Sequence, residues 1–169
     1  MRGLALFLGG LLVGLAVQTG IAQGDNDDIV GMNHVGISVE DFDAAVKFYT
    51  EGMGFREAFV VNDASGQPTQ AYIQVSRDTF LEIRPARPDR PAGVINHIGL
   101  GVDNIRATLA RLERNGVRVD AQGPRQGINN AIISNAFSPG GIRMELTELG
   151  PESLARQAMD SWDGWKQEQ

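Results

Sequence analysis

The sequence contains two histidines, and they fall at matching places. His34 lies in Asn33-His34-Val35-Gly36-Ile37-Ser38-Val39-Glu40-Asp41. His97, 63 residues later, lies in Asn96-His97-Ile98-Gly99-Leu100-Gly101-Val102-Asp103-Asn104. Each is followed after 48 residues by a glutamate, Glu82 in the first case and Glu145 in the second. Two imidazoles and two carboxylates, arriving as a duplicated pair, are a donor set for one divalent ion such as Ni, Co, Zn, Mn or Fe. Carboxylates facing inward without a cation are costly or take up a proton, and a metal removes that problem. The competing reading is a polar pocket without metal.

For these four side chains to meet, strands must carry them. In Phe80-Leu81-Glu82-Ile83-Arg84, alternation puts Leu81 and Ile83 on one face and Phe80, Glu82 and Arg84 on the other. Met144 and Leu146 oppose Arg143, Glu145 and Thr147 in the same way, and Val35, Ile37 and Val39 oppose His34, Gly36 and Ser38. Helical spacing follows each histidine motif: Phe42, Ala45, Val46, Tyr49, then Gly52 and Gly54; and Ile105, Leu109, Leu112, then Asn115-Gly116. Asp41 and Asp103 suit the N-cap position. Three strand-like stretches come after each helix: Phe55–Val61, Gln70–Ser76 and Phe80–Arg84, then Val117–Val119, Ala131–Phe137 and Ile142–Leu146. The expected fold is α+β, with two βαβββ modules at 31–86 and 94–148 in one domain, 31–148. A C-terminal helix and tail occupy 149–169, with the helix starting at Pro151 and apolar spacing at Leu154, Ala158 and Trp162. Gly36, Gly99 and Gly101 share the ligand face. They fit either room for a substrate or a bulge that curves the sheet.

The composition removes several classes. The 169-residue chain is 42% hydrophobic and 21% charged, ordinary for a globular domain. A net charge of -6 without a basic cluster argues against nucleic acid as a partner. There is no cysteine, so disulfides and thiolate chemistry are excluded. With both histidines assigned to a metal, none remains to activate a serine. Arg2, the apolar run Leu4–Val17 and the ending Gly20-Ile21-Ala22 have the form of a secretory signal peptide, 1–22, followed by a polar linker, 23–30. The expectation is an exported protein, periplasmic or extracellular, with no membrane attachment after processing.

The residues resemble the vicinal oxygen chelate superfamily, the group of glyoxalases, bleomycin-resistance proteins and extradiol dioxygenases. The resemblance spans about residues 31–148. It rests on Asn33-His34-Val35-Gly36-Ile37, on Asp41-Phe42-Asp43 to Phe48-Tyr49-Thr50, on Gly52-Met53-Gly54-Phe55, on Phe80-Leu81-Glu82-Ile83, and on Ser138-Pro139-Gly140-Gly141-Ile142-Arg143-Met144-Glu145-Leu146. It implies paired βαβββ modules whose curved mixed sheet wraps a metal-centred cavity. The His/Glu/His/Glu set is similar to that of bacterial glyoxalase I (lactoylglutathione lyase). That likeness implies a lyase or isomerase in which Glu145, with Glu82 as its counterpart, moves a proton next to a carbonyl. Ser38, Tyr72, Gln74, Arg84 and Arg143 are the candidate substrate-pocket residues, for a small carbonyl- or hydroxy-bearing molecule. Two features depart from glyoxalase I: Ser38 stands where an arginine would meet the glutathione carboxylate, and Ala86 stands where an asparagine is expected. The alternatives are a metal-dependent dioxygenase, which by resemblance would want a further histidine, and a non-catalytic small-molecule binder. A homodimer in which modules are exchanged would build the same surfaces as modules paired within one chain.

Overall fold

The computed structural model describes residues 28–164, so the expected signal peptide at 1–22, most of the expected linker and the tail beyond 164 lie outside the described residues. The chain runs β1 (Ile29–Val39), α1 (Phe42–Lys47, continuing as a π-turn Phe48–Gly52), β2 (Arg56–Asn62), β3 (Pro68–Ser76) and β4 (Thr79–Pro85). Then follow β5 (Val94–Val102), α2 (Ile105–Arg114), β6 (Arg118–Val119), β7 (Arg125–Gln126), β8 (Ile132–Phe137), β9 (Arg143–Glu148) and α3 (Leu154–Asp160). One curved, mixed sheet of nine strands results, in the order β2-β3-β4-β1-β5-β9-β8-β6, with β7 beside β8. Each half is the expected β-α-β-β-β unit. The second half adds the short strand β7, which the sequence pattern did not announce.

The order reads as two halves meeting edge to edge. In each, the first strand pairs parallel with the last, β1 with β4 and β5 with β9, as a crossover through a helix requires. The halves join where β1 and β5 pair antiparallel. The alternation expected for the strands is the one that packs. Ala71, Ile73 and Ile83 bury against Val46, Tyr49 and Phe55 on the α1 side, and Val102 and Leu146 bury against Ile105 and Leu109 of α2. That leaves the opposite face of the central strands for polar groups.

Some boundaries move. Ile29 and Val30, expected in the linker, belong to β1, and Asp28 forms a two-point ion pair with Arg111 (2.6 and 3.1 Å) that ties the strand's start to α2. Asp41 caps α1 as expected, accepting from the Ala44 amide at 2.9 Å. The cap of α2 is Asn104 rather than Asp103, with the Ala107 amide at 3.0 Å, because the strand runs through Val102 before the turn. The C-terminal helix starts after a Ser153 cap instead of at Pro151, and buries Ala155 and Ala158. Those two alanines pack with Tyr72 and Phe80, so α3 fills part of the polar-side concavity of the first half.

Candidate metal centre

Strand register places the four donors. Across β4, β1 and β5, Glu82 stands opposite Gly36, and Gly36 opposite His97. Across β1, β5 and β9, His34 stands opposite Gly99, and Gly99 opposite Glu145. Each row is therefore a histidine and a glutamate with glycine between them. The two rows are related by the approximate symmetry of the halves.

The glycines explain how the rings lie. A Cβ on Gly36 would sit 2.0 Å from His97 Cε1, and one on Gly99 would sit 2.2 Å from His34 Cε1. Each imidazole thus occupies the space over the strand between it and its glutamate, which only glycine leaves open. Neither position has the left-handed backbone that would demand glycine by itself. Of the two roles open for these residues, Gly36 and Gly99 make room, and what they make room for is the histidines. Gly101 instead lies against Val30.

All four donors converge. One ligand atom from each of His34, Glu82, His97 and Glu145 lies within 4.8 Å of all the others. His34 Nε2 and His97 Nε2 are 2.9 Å apart, and His97 Nε2 is 2.9 Å from Glu82 Oε2. His34 Nε2 lies 3.5 Å from Glu82 and 3.4 Å from Glu145. Donors each about 2.0–2.1 Å from one ion stand about 2.9 Å apart at right angles and about 4.1 Å apart when opposed. The observed separations fall in that interval or close to it.

The far side of each ring fixes which nitrogen is bare. His34 Nδ1 contacts Asn33 Oδ1 at 3.0 Å, and His97 Nδ1 contacts Asn96 Oδ1. Asn96 is oriented independently: its Nδ2 donates to Ser38 Oγ at 2.9 Å, while its Oδ1 accepts from Arg143 Nη2 at 3.3 Å. An amide oxygen only accepts, so Nδ1 of His97 donates to Asn96 and Nε2 is the nitrogen turned to the cluster, and the matching Asn33 contact sets His34 the same way round. Two lone pairs and two carboxylates aimed at one buried point repel unless a cation stands among them. The donor set therefore fits a divalent metal held by His34, Glu82, His97 and Glu145.

The carboxylates are ionised in this setting. Burial is the largest influence on each and works to raise both. In the metal-free protein, with a proton instead of a metal ion at the imidazole Nε2 atoms, it is outweighed for Glu82 by the hydrogen bond from His97 and the charges of His34, His97 and Arg84, and the net shift is downward. For Glu145, the hydrogen bond and charge of His34, with the charges of His97 and Arg143, bring the carboxyl down to about 2. Burial, reinforced by Glu82 and Glu145, pushes the Tyr72 hydroxyl well above its usual range, so it stays a neutral phenol.

A cavity of about 220 Å3 opens beside the cluster, lined by Tyr72, Glu82, Arg84, Arg143 and Glu145 together with Gln70, Arg125 and Asn129. Three of the expected pocket residues, Tyr72, Arg84 and Arg143, therefore lie where a substrate would. Ser38 and Gln74 do not. Ser38 is fully buried behind Asn96. Gln74 is buried under the C-terminal helix, donating to the carbonyls of Arg77 and Ala158. Gln74 does share a strand face with Tyr72, but two residues along β3 that face passes beneath α3. Arg125 and Asn129 carried no sequence signal, since they sit in and beside the unannounced β7. Asn33 and Asn96 had a signal, the repeated Asn-His pair, whose role becomes clear only from ring geometry. A larger apolar cavity of about 600 Å3, between α2 and the second half of the sheet, contains none of the four donors.

A family model described as Glyoxalase/Bleomycin resistance protein/Dioxygenase superfamily matches residues 31–146. The chain belongs to this superfamily. Within it, a probable chloroplastic lactoylglutathione lyase of Arabidopsis thaliana is 29% identical over 128 residues, 71% of this chain. The chain spans only about a third (36%) of that relative's length. The mitochondrial methylmalonyl-CoA epimerase of Mus musculus is 23% identical over 128 residues, covering 69% of this chain and 72% of the mouse protein. The crystal structure of methylmalonyl-CoA epimerase from Mycobacterium tuberculosis superposes with a TM-score of 0.64 at 25% identity, over 78% of this chain and 94% of that one. His34, Glu82, His97 and Glu145 converge within one chain.

Proposed function

We propose that the protein is a metal-dependent enzyme of the glyoxalase type, a lyase or isomerase that moves a proton at a carbon next to a carbonyl. The observation that carries this is a four-donor cluster whose two carboxylates, Glu82 and Glu145, line a cavity of about 220 Å3. Both curated relatives are named as enzymes, a lyase and an epimerase, which is consistent with proton movement beside a carbonyl. A divalent ion held by His34, Glu82, His97 and Glu145 would supply Lewis acidity toward substrate oxygens.

The chain's own groups divide the remaining work. The Glu145 side chain is 11% exposed and that of Glu82 is 4% exposed, so Glu145 is the more accessible of the two carboxylates at the cavity. Its Oε2, held by Arg143 Nη1 at 3.1 Å, is the oxygen placed to take a proton from substrate and return it. Glu82, between His97 and Arg84, is the more deeply buried counterpart. Arg84 and Arg143 face the negative charge that develops on substrate oxygens as the proton leaves. We also propose export, on the leader-like pattern of residues 1–22; amino-terminal sequencing of protein recovered outside the cytoplasm, expected to begin near Gln23, tests it.

Elemental analysis of the purified protein beside His97→Ala tests the centre. About one equivalent of a transition metal, lost in the variant, supports the reading. Turnover of a hemithioacetal or epimerisation of a 2-substituted acyl compound, lost in Glu145→Gln with metal retained, supports the proton-transfer role. No metal after loading with Ni, Co, Zn or Fe, in a folded protein, refutes the catalytic reading and leaves a metal-free binder. Oxygen uptake with a catechol would point to the dioxygenase instead.

A further inference from the structure

The charge and size of the cavity specify more than a metal-dependent reaction. Among the described residues, its only acidic lining groups are Glu82 and Glu145. A divalent cation among the donors balances those two carboxylates, a step that rests on the metal-centred reading above. The wall then keeps three guanidinium groups, Arg84, Arg125 and Arg143. Asp120 offsets one of them partly, at 3.6 Å from Arg125. Arg84 Nε is buried 3.4 Å from Glu82 Oε1 without hydrogen-bond geometry, and Arg90 adds positive charge behind it. Arg143 is engaged by Glu145, Asn135 and Asn96, so with an ion taking up the charge of Glu82, Arg84 and the half-exposed Arg125 are the guanidinium groups left to meet whatever enters.

The space is small. About 220 Å3 is below the roughly 300–1,000 Å3 of sites for drug-sized ligands. The protein itself closes the neighbouring part of the concavity. Helix α3 packs Ala155 and Ala158 on Tyr72 and Phe80. The amide of Leu154, at the start of that helix, donates to Asn129 O at 3.0 Å, and Asn129 Nδ2 donates to the Tyr72 hydroxyl at 3.3 Å. The loop between β7 and β8, which lines the cavity, is thereby braced by the C-terminal segment.

We infer that the substrate is a small free 2-oxo or 2-hydroxy carboxylic acid, its carboxylate held by Arg84 and Arg125, and not the thioester of a large carrier. Arginine pairs its planar fork with a carboxylate in two parallel hydrogen bonds, which a neutral amide does not accept, and the bulk of a carrier has to lie outside a cavity of about 220 Å3. An exported location, where thiol carriers are scarce, agrees with this.

Calorimetric titration of the zinc-loaded protein with lactate, pyruvate, lactamide and S-lactoylglutathione tests the inference. Lactate, lactamide and S-lactoylglutathione share one hydroxyacyl group and differ in the charge and bulk attached to it. At least one acid is expected to bind tenfold or more tightly than lactamide, and S-lactoylglutathione no more tightly than lactamide. Arg84→Gln and, separately, the half-exposed Arg125→Gln are expected to weaken acid binding about tenfold. Lactamide affinity and zinc content should stay unchanged in Arg125→Gln, which separates recognition from misfolding. Tightest binding of S-lactoylglutathione, equal binding of acid and amide, or no acid binding to a zinc-loaded protein overturns the inference while the metal-centred reading stands. Failure to take up zinc is seen separately by elemental analysis, and overturns that reading and the inference together.

Discussion

Replacing Gly36 with alanine adds one methyl group, and the structure says where it goes. The new carbon would lie 2.0 Å from His97 Cε1, 2.2 Å from Nδ1 and 2.8 Å from Nε2. Carbon atoms in favourable contact are about 3.5–4.0 Å apart, so the ring must retreat by roughly 1.5 Å or the strands must part. Metal ligands tolerate displacements of about 0.2 Å. The retreat would also disturb the contact of Nδ1 with Asn96 and the 2.9 Å approach of Nε2 to Glu82. Losing support around a ligand costs about 10–100-fold in metal affinity, and here the ligand itself is moved. Gly36→Ala is therefore expected to weaken metal binding at least about 100-fold, or about 2.7 kcal/mol. Gly99→Ala should do the same through His34. Gly150→Ala, where a Cβ meets nothing within 4 Å, is the control. Competition against a chromophoric chelator measures the affinities. Alanine is at home in extended backbone, so if the glycines serve only to curve the sheet, both variants will bind metal like the parent. That result would refute the assignment of these two residues to ring clearance.

Asn33→Ala and Asn96→Ala leave every ligand in place but free the tautomer of the adjacent ring; each should lower metal affinity about 10–100-fold, less than deletion of a histidine, measured by the same competition. In the metal-free protein, the Glu145 carboxyl is held at about 2 against its ordinary 4.5. A depressed carboxyl stabilises the fold above the unfolded value and loses that contribution as pH falls. Stability should therefore drop between pH 4.5 and 2, by about 3 kcal/mol at most from this group. Urea unfolding of the apoprotein in that window, beside Glu145→Gln, which should show a shallower fall, checks it. Phe80 is completely buried against Tyr72 and α3. Phe80→Ala is expected to cost about 3–5 kcal/mol by denaturant unfolding, and a loss under 1 kcal/mol would mean that α3 is not held there.

Much of this site is legible in the sequence because duplication makes weak signals check one another. One histidine followed by a glutamate 48 residues later means little; two such pairs at equal spacing, each on the polar face of an alternating strand, restrict the alternatives sharply. The helices and the two βαβββ halves are visible for the same reason. What the sequence hides depends on contacts between distant segments. By alternation Gln74 is equivalent to Tyr72, since both occupy one face of β3, and only the docking of α3 separates a buried amide from a cavity wall. Ser38 shares the ligand face of its strand, but Asn96 reaches across from β5 to cover it. Arg125 belongs to a two-residue strand with no periodicity to detect.

The two donor rows also bear on how the halves are held together. Glu82 and Gly36 belong to the first half and His97 to the second; His34 belongs to the first, Gly99 and Glu145 to the second. Neither half can assemble even one row alone. Strand pairing between the halves runs through β1 and β5, so an ion at the donors acts as a clasp across that seam. Metal occupancy and the docking of the halves are then one equilibrium. If the cluster takes an ion as proposed, chelation should speed amide exchange along β1 and β5 before it loosens the strands farther from the seam.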